Sequence, residues 1–560
     1  MSTPHVRRLP LVVLGLLVAC GGREMEEAEP WSLDTQAVSG ALAAIHPEAI
    51  ETHIRVLAHD SLAGRAPGTA GYEGASRYVE GRLRDLGLAP AGVDGSYRQP
   101  VQLQESLVDE AASGLTVLGE GRSVSLVYGL DYYLSPDPDR PQVDVEAPVV
   151  FVGYGVSAPA FGYDDYANID VSGKVVAFLS GAPPSLPSNP RAYYSSGAVK
   201  RDEAVSRGAV GMLSFNAPDD PRFRWDVNVA RAKRGGFAWL EPGVEARPGA
   251  AALRGSASLN HSAVDRLFSG TPKALAQVFA DAAASVPQAF DLPSRVRMTT
   301  TTRHRRVDSH NLVARLEGSD PALSNEHVVY VAHIDHFGVG VPVEGDSIYN
   351  GAHDNASGAS IVLEIARAFT ALPEPPRRSV LFLFVTAEEW GLLGSDYFVN
   401  HPTVPPESLV ANFSLDMPFL FHPLKDIVPY GADHSTLSED VSAAAERLGL
   451  GIGPDPIPEQ VLFIRSDHFS FIRRGIPALF IKSGFETGDD RDGAAINADW
   501  RRDIYHTPRD EADQGFDFGA GVTHAQVNFL TGYRVAQRAA RPAWKEGDFF
   551  GGLFGRAPVF

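Results

Sequence analysis

The stretch "SVLFLFVTAEEWG" (379–391) joins an apolar run of strand length to two adjacent glutamates, Glu388 and Glu389. Similar apolar runs occur three more times, as "HVVYVAH" (327–333), "LVANFSLDM" (409–417) and "GIPALFIKSG" (475–484). Helical patterns such as "ASIVLEIARAFTAL" (359–372) lie between them. Continuous apolar strands that alternate with helices are typical of a sheet covered on both faces. The chain therefore predicts an α/β fold with a mixed, mostly parallel sheet flanked by helices.

The two glutamates have an ordinary structural explanation of their own. Thr386 and Glu389 fit the S/T-x-x-E pattern of a capping box, which predicts a helix that begins directly after the strand. Consecutive helical residues point about 100° apart, so Glu388 and Glu389 are expected to face different directions.

Other polar side chains also follow the predicted strands. They are His333 and Asp335 in "AHIDHFG", Asp354 in "NGAHDNASG", Asp416 in "SLDMP", and His506 and Asp510 in "DIYHTPRD". Open α/β sheets bind ligands beyond the carboxyl ends of their strands, so these side chains are expected at one edge of the sheet. Each could be an ordinary turn or cap residue, but together they form a nitrogen and oxygen donor set that suits zinc or a similar divalent ion. Spacing alone leaves His336 and His468 as equal candidates for ligands.

In this order, "AHIDHFG", "GAHDNASGAS", "TAEEWGLLGS", "SLDM" and "YHTPRD" resemble the zinc aminopeptidase family M28. The resemblance implies a zinc exopeptidase fold and an aminopeptidase that hydrolyses N-terminal peptide bonds with a metal-bridged hydroxide. Its expected substrates are peptides with a free N-terminus, and its expected cofactor is two Zn²⁺ per chain.

The resemblance also implies a role for each matching residue. His333 and Asp416 would hold one zinc ion, Glu389 and His506 the other, and Asp354 would bridge both. Glu388 would be the general base, Asp335 would orient His333, Asp510 would orient His506, and Tyr505 would donate a hydrogen bond to the oxyanion. His353 stands where many relatives have an acid, and a cis peptide is expected at Asp354-Asn355.

A segment with a different sequence pattern lies between the two halves of the predicted peptidase. Short apolar runs such as "APVVFVGYGVSAP" and "GKVVAFLSGAPP", separated by Gly, Pro and Asp, predict a strand-rich module with few helices. This module resembles a protease-associated domain. We therefore expect a peptidase domain formed by residues 41–138 and 300–541, an inserted β-rich domain over 139–293, and a C-terminal tail over 542–560.

The N-terminus has the pattern of an export signal. Residues 1–19 carry a short basic region and the apolar run "LPLVVLGLLVA", which is too short to span a bilayer. The "LVAC" that closes this run resembles a bacterial lipobox, with Cys20, the one cysteine of the chain, as the lipidated residue. The expectation is an exported bacterial lipoprotein anchored to a membrane, with residues 20–40 as lipidated cysteine and flexible tether.

Composition narrows the function further. The formal net charge of −20 argues against a nucleic-acid partner, and a single cysteine excludes an internal disulfide. A carboxypeptidase or a glutaminyl cyclase on the same scaffold, and a non-catalytic binding lipoprotein, remain alternatives. The sequence does not indicate an oligomeric state.

Overall fold

The computed structural model describes residues 1, 32–119, 122–218, 220, 223–241 and 253–555. The helices are α1 (Gln36–Ala43), α2 (Pro47–Leu57), α3 (Ala70–Asp85), α4 (Ser188–Ser195), α5 (Gly197–Ser206), α6 (Trp225–Ala232), α7 (His261–Leu267), α8 (Leu275–Ala283), α9 (Gly358–Thr370), α10 (Leu393–Asn400), α11 (Leu437–Leu448), α12 (His468–Ile472), α13 (Gly493–Asp503), α14 (Phe518–Gln537) and α15 (Phe549–Phe554). The strands are β1 (Ala89–Pro90), β2 (Arg98–Val108), β3 (Gly114–Gly119), β4 (Arg122–Ser125), β5 (Tyr132–Leu134), β6 (Gln142–Val152), β7 (Ser157–Ala158), β8 (Tyr163–Asp164), β9 (Val175–Leu179), β10 (Gly211–Phe215), β11 (Gly236–Trp239), β12 (Ser256–Leu259), β13 (Ala289–Leu316), β14 (His327–His333), β15 (Gly338–Val343), β16 (Asp346–Tyr349), β17 (Ser379–Val385), β18 (Leu409–Ser414), β19 (Asp426–Tyr430), β20 (Gly451–Ile452) and β21 (Ala478–Ser483).

Cys20 and residues 2–19 of the predicted signal peptide lie outside the described residues. Helix α1 begins at Gln36, inside the segment predicted as a tether, and its Val38 is fully buried. The folded chain therefore starts a few residues earlier than predicted. Among the described residues, no helix combines the length and the apolar character that crossing a bilayer requires.

The main sheet has the strand order β11-β2-β13-β17-β14-β18-β21-β19-β20. The pairings of β14 with β17 and β18, and of β18 with β21, are parallel, whereas β2, β11 and β13 pair antiparallel. The predicted α/β fold with a mixed sheet is therefore confirmed.

Strand β14 is buried on both faces of the sheet, which explains why its sequence is apolar. Val328, Tyr330 and Ala332 pack into the core on one face of the sheet, and Val329 and Val331 pack into the core on the other. Because side chains alternate between the two faces of a strand, burial on both faces leaves no position for a polar residue.

A second sheet, here called the insertion sheet, has the order β4-β3-β13-β6-β9-β10-β12-β5. It begins at Gly114 rather than at residue 139, because β3 pairs with the first half of β13. Strand β13 extends over 28 residues and continues into the main sheet, where it pairs with β2 and β17. The border between the two sheets therefore falls inside a strand, where no turn signal marks it.

The prediction of few helices in this segment is wrong. Helices α4 to α8 lie between β9 and β13, and each has seven to ten residues. Helices of two or three turns show too few repeats of the 3.6-residue period to be recognised with certainty from sequence.

The C-terminal tail packs against both parts of the molecule. Phe550 of α15 is fully buried, with ring centres 4.8 Å from Phe463 and 6.1 Å from Tyr193 of α4. Asp548 accepts a 2.6 Å hydrogen bond from Nδ1 of His434. The tail therefore joins the insertion, by which we mean residues 114–299, to the domain built on the main sheet.

Candidate metal centre

Three neighbouring parallel strands end at the same level of the main sheet. His333 is the last residue of β14 and is paired in register with Val385, the last residue of β17. Glu388 follows β17 by three residues, and Asp416 follows β18 by two. The strand register thus brings side chains that are distant in sequence to one edge, as the sequence predicts.

Asp354 lies between two histidines. Its Oδ1 is 3.4 Å from Nε2 of His333, and its Oδ2 is 3.0 Å from Nε2 of His506. Glu389 is on the His506 side, with Oε2 3.2 Å from the same Nε2. Each carboxylate oxygen of Asp354 therefore faces a different imidazole.

Asp416 and Glu388 both lie close to the imidazole of His333. Nε2 of His333 is 3.7 Å from Oδ1 of Asp416 and 3.7 Å from Oε2 of Glu388. The groups His333, Asp354, Glu389 and His333, Glu388, Asp416 each offer three ligand atoms within 4.8 Å of one another. The structure thus brings all five predicted ligands and the predicted base into one cluster.

The turn that carries Asp354 is held from two directions. The peptide bond Asp354-Asn355 is cis, as the family resemblance predicts. Asn355 donates from Nδ2 to the carbonyl of Leu415 at 2.9 Å and accepts from the amide of Met417 at 3.2 Å. Asp510 accepts from the amides of His353 and Asp354 at 2.8 and 2.9 Å. The expectation that Asp510 orients His506 is thus not met, because its carboxylate oxygens bind the backbone of the Asp354 turn.

The predicted capping box at Thr386 is wrong. Residues 388–390 form a tight 3₁₀ turn preceded by Ala387 at φ 54°. The Thr386 hydroxyl instead shares a 2.7 Å hydrogen bond with the Ser309 hydroxyl of β13. Contact with a neighbouring strand has replaced the local cap.

Asp335 contacts both His333 and the turn that carries Glu388. Its Oδ1 accepts from the amide of Glu388 at 3.1 Å and lies 3.8 Å from Nδ1 of His333. The carbonyl of Asp335 is closer to that nitrogen, at 3.3 Å. Asp335 is therefore placed to orient the imidazole, mainly through its backbone, and to hold the Glu388 backbone with its carboxylate.

Two buried cations that support the site were missed by the sequence analysis. Arg65 is 1% exposed and donates to the carbonyls of Ile334, Asn350 and Gly351, which flank Asp335 and Asp354. Lys482 donates from Nζ to the carbonyls of Asp416 and Met417. Both bind backbone carbonyls far away in sequence, so no local pattern could have indicated them.

Burial and nearby charged groups shift the pKa values of the two glutamates in opposite directions. Burial raises the pKa of Glu388 well above its ordinary value, and Asp416 and Glu389 raise it further, against the opposing effect of His333. Although burial acts in the other direction, His506 and His336 hold the pKa of Glu389 at about 2. Adjacent glutamates with opposite pKa shifts are suited to different tasks.

Tyr505 and His506 form a stacked pair with ring centres 3.6 Å apart. The Tyr505 hydroxyl accepts a 2.9 Å hydrogen bond from Nη2 of Arg465, which leaves its own proton free to be donated. Nδ1 of His506 lies 2.8 Å from Nη2 of Arg231.

The other candidate histidines occupy different environments. His336 contacts Oε1 of Glu389 through Nδ1 at 2.6 Å, so it is beside a predicted ligand. His353 lies among aromatic rings, including Trp500 at 4.7 Å, and burial holds its pKa well below the ordinary value. His468 stacks on Phe480 at 5.0 Å, and burial lowers its pKa to about 3. Neither His353 nor His468 belongs to the cluster.

Comparison with known proteins supports a peptidase. Residues 311–529, which include every residue of the cluster, match Peptidase family M28. A probable leucine aminopeptidase 2 of Aspergillus oryzae is 30% identical over 198 residues, which cover 34% of this chain and 37% of that protein. A probable glutamate carboxypeptidase of Arthroderma benhamiae is 30% identical over 211 residues, which cover 34% of this chain and 27% of that protein. The matching segment thus spans 27–37% of the length of these relatives. Within this segment, the comparisons confirm the predicted peptide hydrolase.

The fold has a similar counterpart among solved structures. The aminopeptidase from Aneurinibacillus sp. strain AM-1 is 20% identical, with a TM-score of 0.53, over 90% of this chain and 97% of that one. This likeness of fold agrees with the predicted fold class.

Proposed function

We propose that this protein is an aminopeptidase that hydrolyses N-terminal peptide bonds with two zinc ions. The observation that carries the proposal is the position of Asp354, whose two oxygens face the Nε2 atoms of His333 and His506 at 3.4 and 3.0 Å. A carboxylate between two imidazoles is the arrangement that a bridging ligand of two metals requires.

The donor set fits zinc. Nε2 of His333, Nε2 of His506 and Oδ1 of Asp416 are buried without a hydrogen-bond partner among the described residues. Buried polar atoms are rarely left unpaired, and imidazole and carboxylate are common zinc ligands. His333 and Asp416 would hold one ion, Glu389 and His506 the second, and Asp354 both; when bound, the ions would polarise the scissile carbonyl and acidify water.

Glu388 is the proposed general base. It lies at the His333 side of the cluster, and its raised pKa favours a carboxyl group that accepts a proton and later releases it to the departing amine. The 3.1 Å bond from its amide to Asp335 fixes the start of the turn that carries it. Tyr505 is proposed to donate its free hydroxyl proton to the developing oxyanion.

A free α-amino group suits the zinc-loaded site as a nitrogen donor. Glu388, Glu389, Asp354 and Asp416 lie within one buried cluster, and two zinc ions would offset their negative charge. The neutral amine could then serve as a further nitrogen ligand, and acetylation of the amine would remove that donor.

The test is a comparison of leucine p-nitroanilide with N-acetyl-leucine p-nitroanilide on zinc-loaded protein. We expect turnover of the free amine at least tenfold faster than turnover of the acetylated substrate, and loss of turnover with a chelator. Equal rates on both substrates would contradict the requirement for an N-terminus, and no turnover of either would contradict the proposed activity.

A further inference from the structure

A large cavity lies between the insertion and the main-sheet domain. Its volume is about 1480 Å³, and its walls include Tyr505 and His506. Among the residues that the structure describes, seven basic and four acidic side chains line it, in a chain whose formal net charge is −20. The cavity beside the candidate metal centre is therefore locally cationic in an acidic protein.

Arg501 of α13 is a cation of this wall without an acidic partner among the described residues. Its Nε donates to Oδ1 of Asn497 at 3.0 Å, and its guanidinium carbon lies 5.8 Å from the ring centre of Tyr505. Arg465 lies 6.0 Å from the same ring, so two like charges flank one tyrosine. The neighbouring Arg502 differs, because Asp499 and Asp503 each pair with it at 2.6 Å.

Arg231 reaches the same region from α6 of the insertion. Its Nη2 contacts Nδ1 of His506 at 2.8 Å. If Nε2 of His506 binds a metal, the neutral imidazole must carry its proton on Nδ1 and can no longer accept from a guanidinium. Arg231 would then need a different acceptor in the cavity.

Both arginines lie beside the stacked rings of Tyr505 and His506. Arg231 contacts His506 at 2.8 Å, and the guanidinium carbon of Arg501 is 5.8 Å from the Tyr505 ring centre. A peptide whose scissile bond lies at His506 and its neighbouring ligands extends past these rings, so the residue after that bond comes within reach of both guanidinium groups.

We propose that Arg501 and Arg231 form a subsite for a carboxylate carried by the residue that follows the scissile bond. Guanidinium groups bind carboxylates with charge-assisted, often bidentate hydrogen bonds. The carboxylate is either the free C-terminus of a dipeptide or an acidic side chain of a longer peptide. This inference rests on the proposed aminopeptidase function and narrows its substrates.

Two matched substrate pairs test the proposal and separate the two sources. Leucyl-alanine against leucyl-alaninamide tests the C-terminal carboxylate, and leucyl-aspartamide, with its free side-chain acid, against leucyl-asparaginamide tests an acidic side chain. We expect kcat/KM to be about tenfold to a hundredfold higher for the acid in at least one pair, the range for hydrogen bonds to charged groups. Ratios near one in both pairs would overturn the subsite.

Three variants test whether Arg501 and Arg231 cause the preference for the acidic substrate. Arg501→Gln and Arg231→Gln should each lower the acid-to-amide ratio at least fivefold, and Arg502→Gln, in which the replaced arginine already has two acidic partners, should leave it unchanged. An unchanged ratio in both of the first two variants would overturn the assignment. Arg231 is exposed on the insertion, so its replacement should not impair folding. If Arg501→Gln does not fold, the acid-to-amide ratio of Arg231→Gln tests the assignment.

A binding measurement separates failure of the subsite from failure of the enzyme. Calorimetric titration of zinc-loaded protein with N-acetylalanine should show binding, whereas N-acetylalaninamide should show none at the same concentrations. Binding should weaken about tenfold in Arg501→Gln. Equal binding of acid and amide would overturn the subsite, even if leucine p-nitroanilide is hydrolysed; absence of that hydrolysis would count against the proposed function alone.

Discussion

Asp354 meets a different histidine with each of its carboxylate oxygens, and its position depends on contacts from three distant segments. Asp510 binds its amide, Asn355 ties the turn to Leu415, and Arg65 binds the carbonyls that precede it. At the scale of single residues, the candidate centre is therefore fixed by backbone hydrogen bonds as much as by the side chains of the proposed ligands, and support of this kind is what orients ligands in metal sites.

Replacing Glu388 tests its proposed role as base. Glu388→Gln keeps the shape of the side chain but cannot accept a proton, so we expect kcat to fall by about 10²- to 10⁴-fold while zinc content stays unchanged. Steady-state kinetics together with elemental analysis measure both quantities. Glu446→Gln, at an exposed position on α11, is the control; full activity in Glu388→Gln would exclude the base assignment.

The number of zinc ions tests the bridging assignment. We expect two per chain in the native protein and no more than one in His506→Ala, because that substitution removes a proposed ligand of one site only. Elemental analysis after dialysis against trace zinc measures the count. One zinc in the native protein would favour the glutaminyl cyclase alternative.

At the scale of elements, close contact between α14 and the main sheet supports the strand that delivers His333. Tyr330 of β14 donates from its hydroxyl to the carbonyl of Asn528 at 2.8 Å, directly below Gly532 of the same helix. A Cβ on Gly532 would lie 1.8 Å from that hydroxyl oxygen. The helix can pack at this distance only because residue 532 has no side chain.

Gly532→Ala should therefore destabilise the protein. We expect a loss of about 1–3 kcal/mol in the free energy of unfolding, the usual cost of overpacking a core. Gly81→Ala on α3, where a Cβ meets no atom within 4 Å, should instead stabilise by about 0.5–1 kcal/mol. Denaturant unfolding of both variants measures the difference, and equal effects would contradict the packing argument.

At the scale of the whole molecule, the insertion contacts the main-sheet domain in two separate places. Arg234 lies 4.5 Å from the ring centres of Phe337 and Tyr349 near the candidate centre. On the other side, α15 packs Phe550 against Tyr193 of the insertion. These contacts hold the arginine-bearing helix α6 next to His506.

Acid stability is a property of the whole molecule to which a buried histidine contributes. Burial lowers the pKa of His327, which is 3% exposed at the start of β14, to about 4. The folded protein therefore binds a proton on His327 only at a lower pH than the unfolded chain does. The stabilising contribution is complete above about pH 6.5 and is lost as pH falls toward 4.

We therefore expect His327→Gln to reduce the loss of unfolding free energy between pH 6.5 and 4 by up to about 3 kcal/mol. Gln can retain a hydrogen bond with Ser408, which shares a 2.9 Å bond with Nδ1 of His327. Denaturant unfolding across this range, with the difference between the two proteins at pH 8 as reference, provides the measurement. Parallel pH profiles would show that His327 does not take up the proton on unfolding.

The apolar strands and the polar residues that follow them could be predicted from sequence, because burial on both faces of a sheet imposes a local pattern. Strands 327–333 and 379–385 coincide with the apolar runs "HVVYVAH" and "SVLFLFV" of the sequence. The strand-end rule then placed His333, Glu388 and Asp416 at one edge without knowledge of the register.

Only the tertiary structure decided which of these groups meet. It placed His333 and His506 on Asp354 and left His353 and His468 among aromatic rings, a choice that spacing could not make. It also brought Arg65 to the Asp354 turn, bound the Thr386 hydroxyl to Ser309, and extended β13 through two sheets. Local sequence encodes periodicity and turn chemistry, whereas contacts between residues hundreds of positions apart depend on how the finished elements pack.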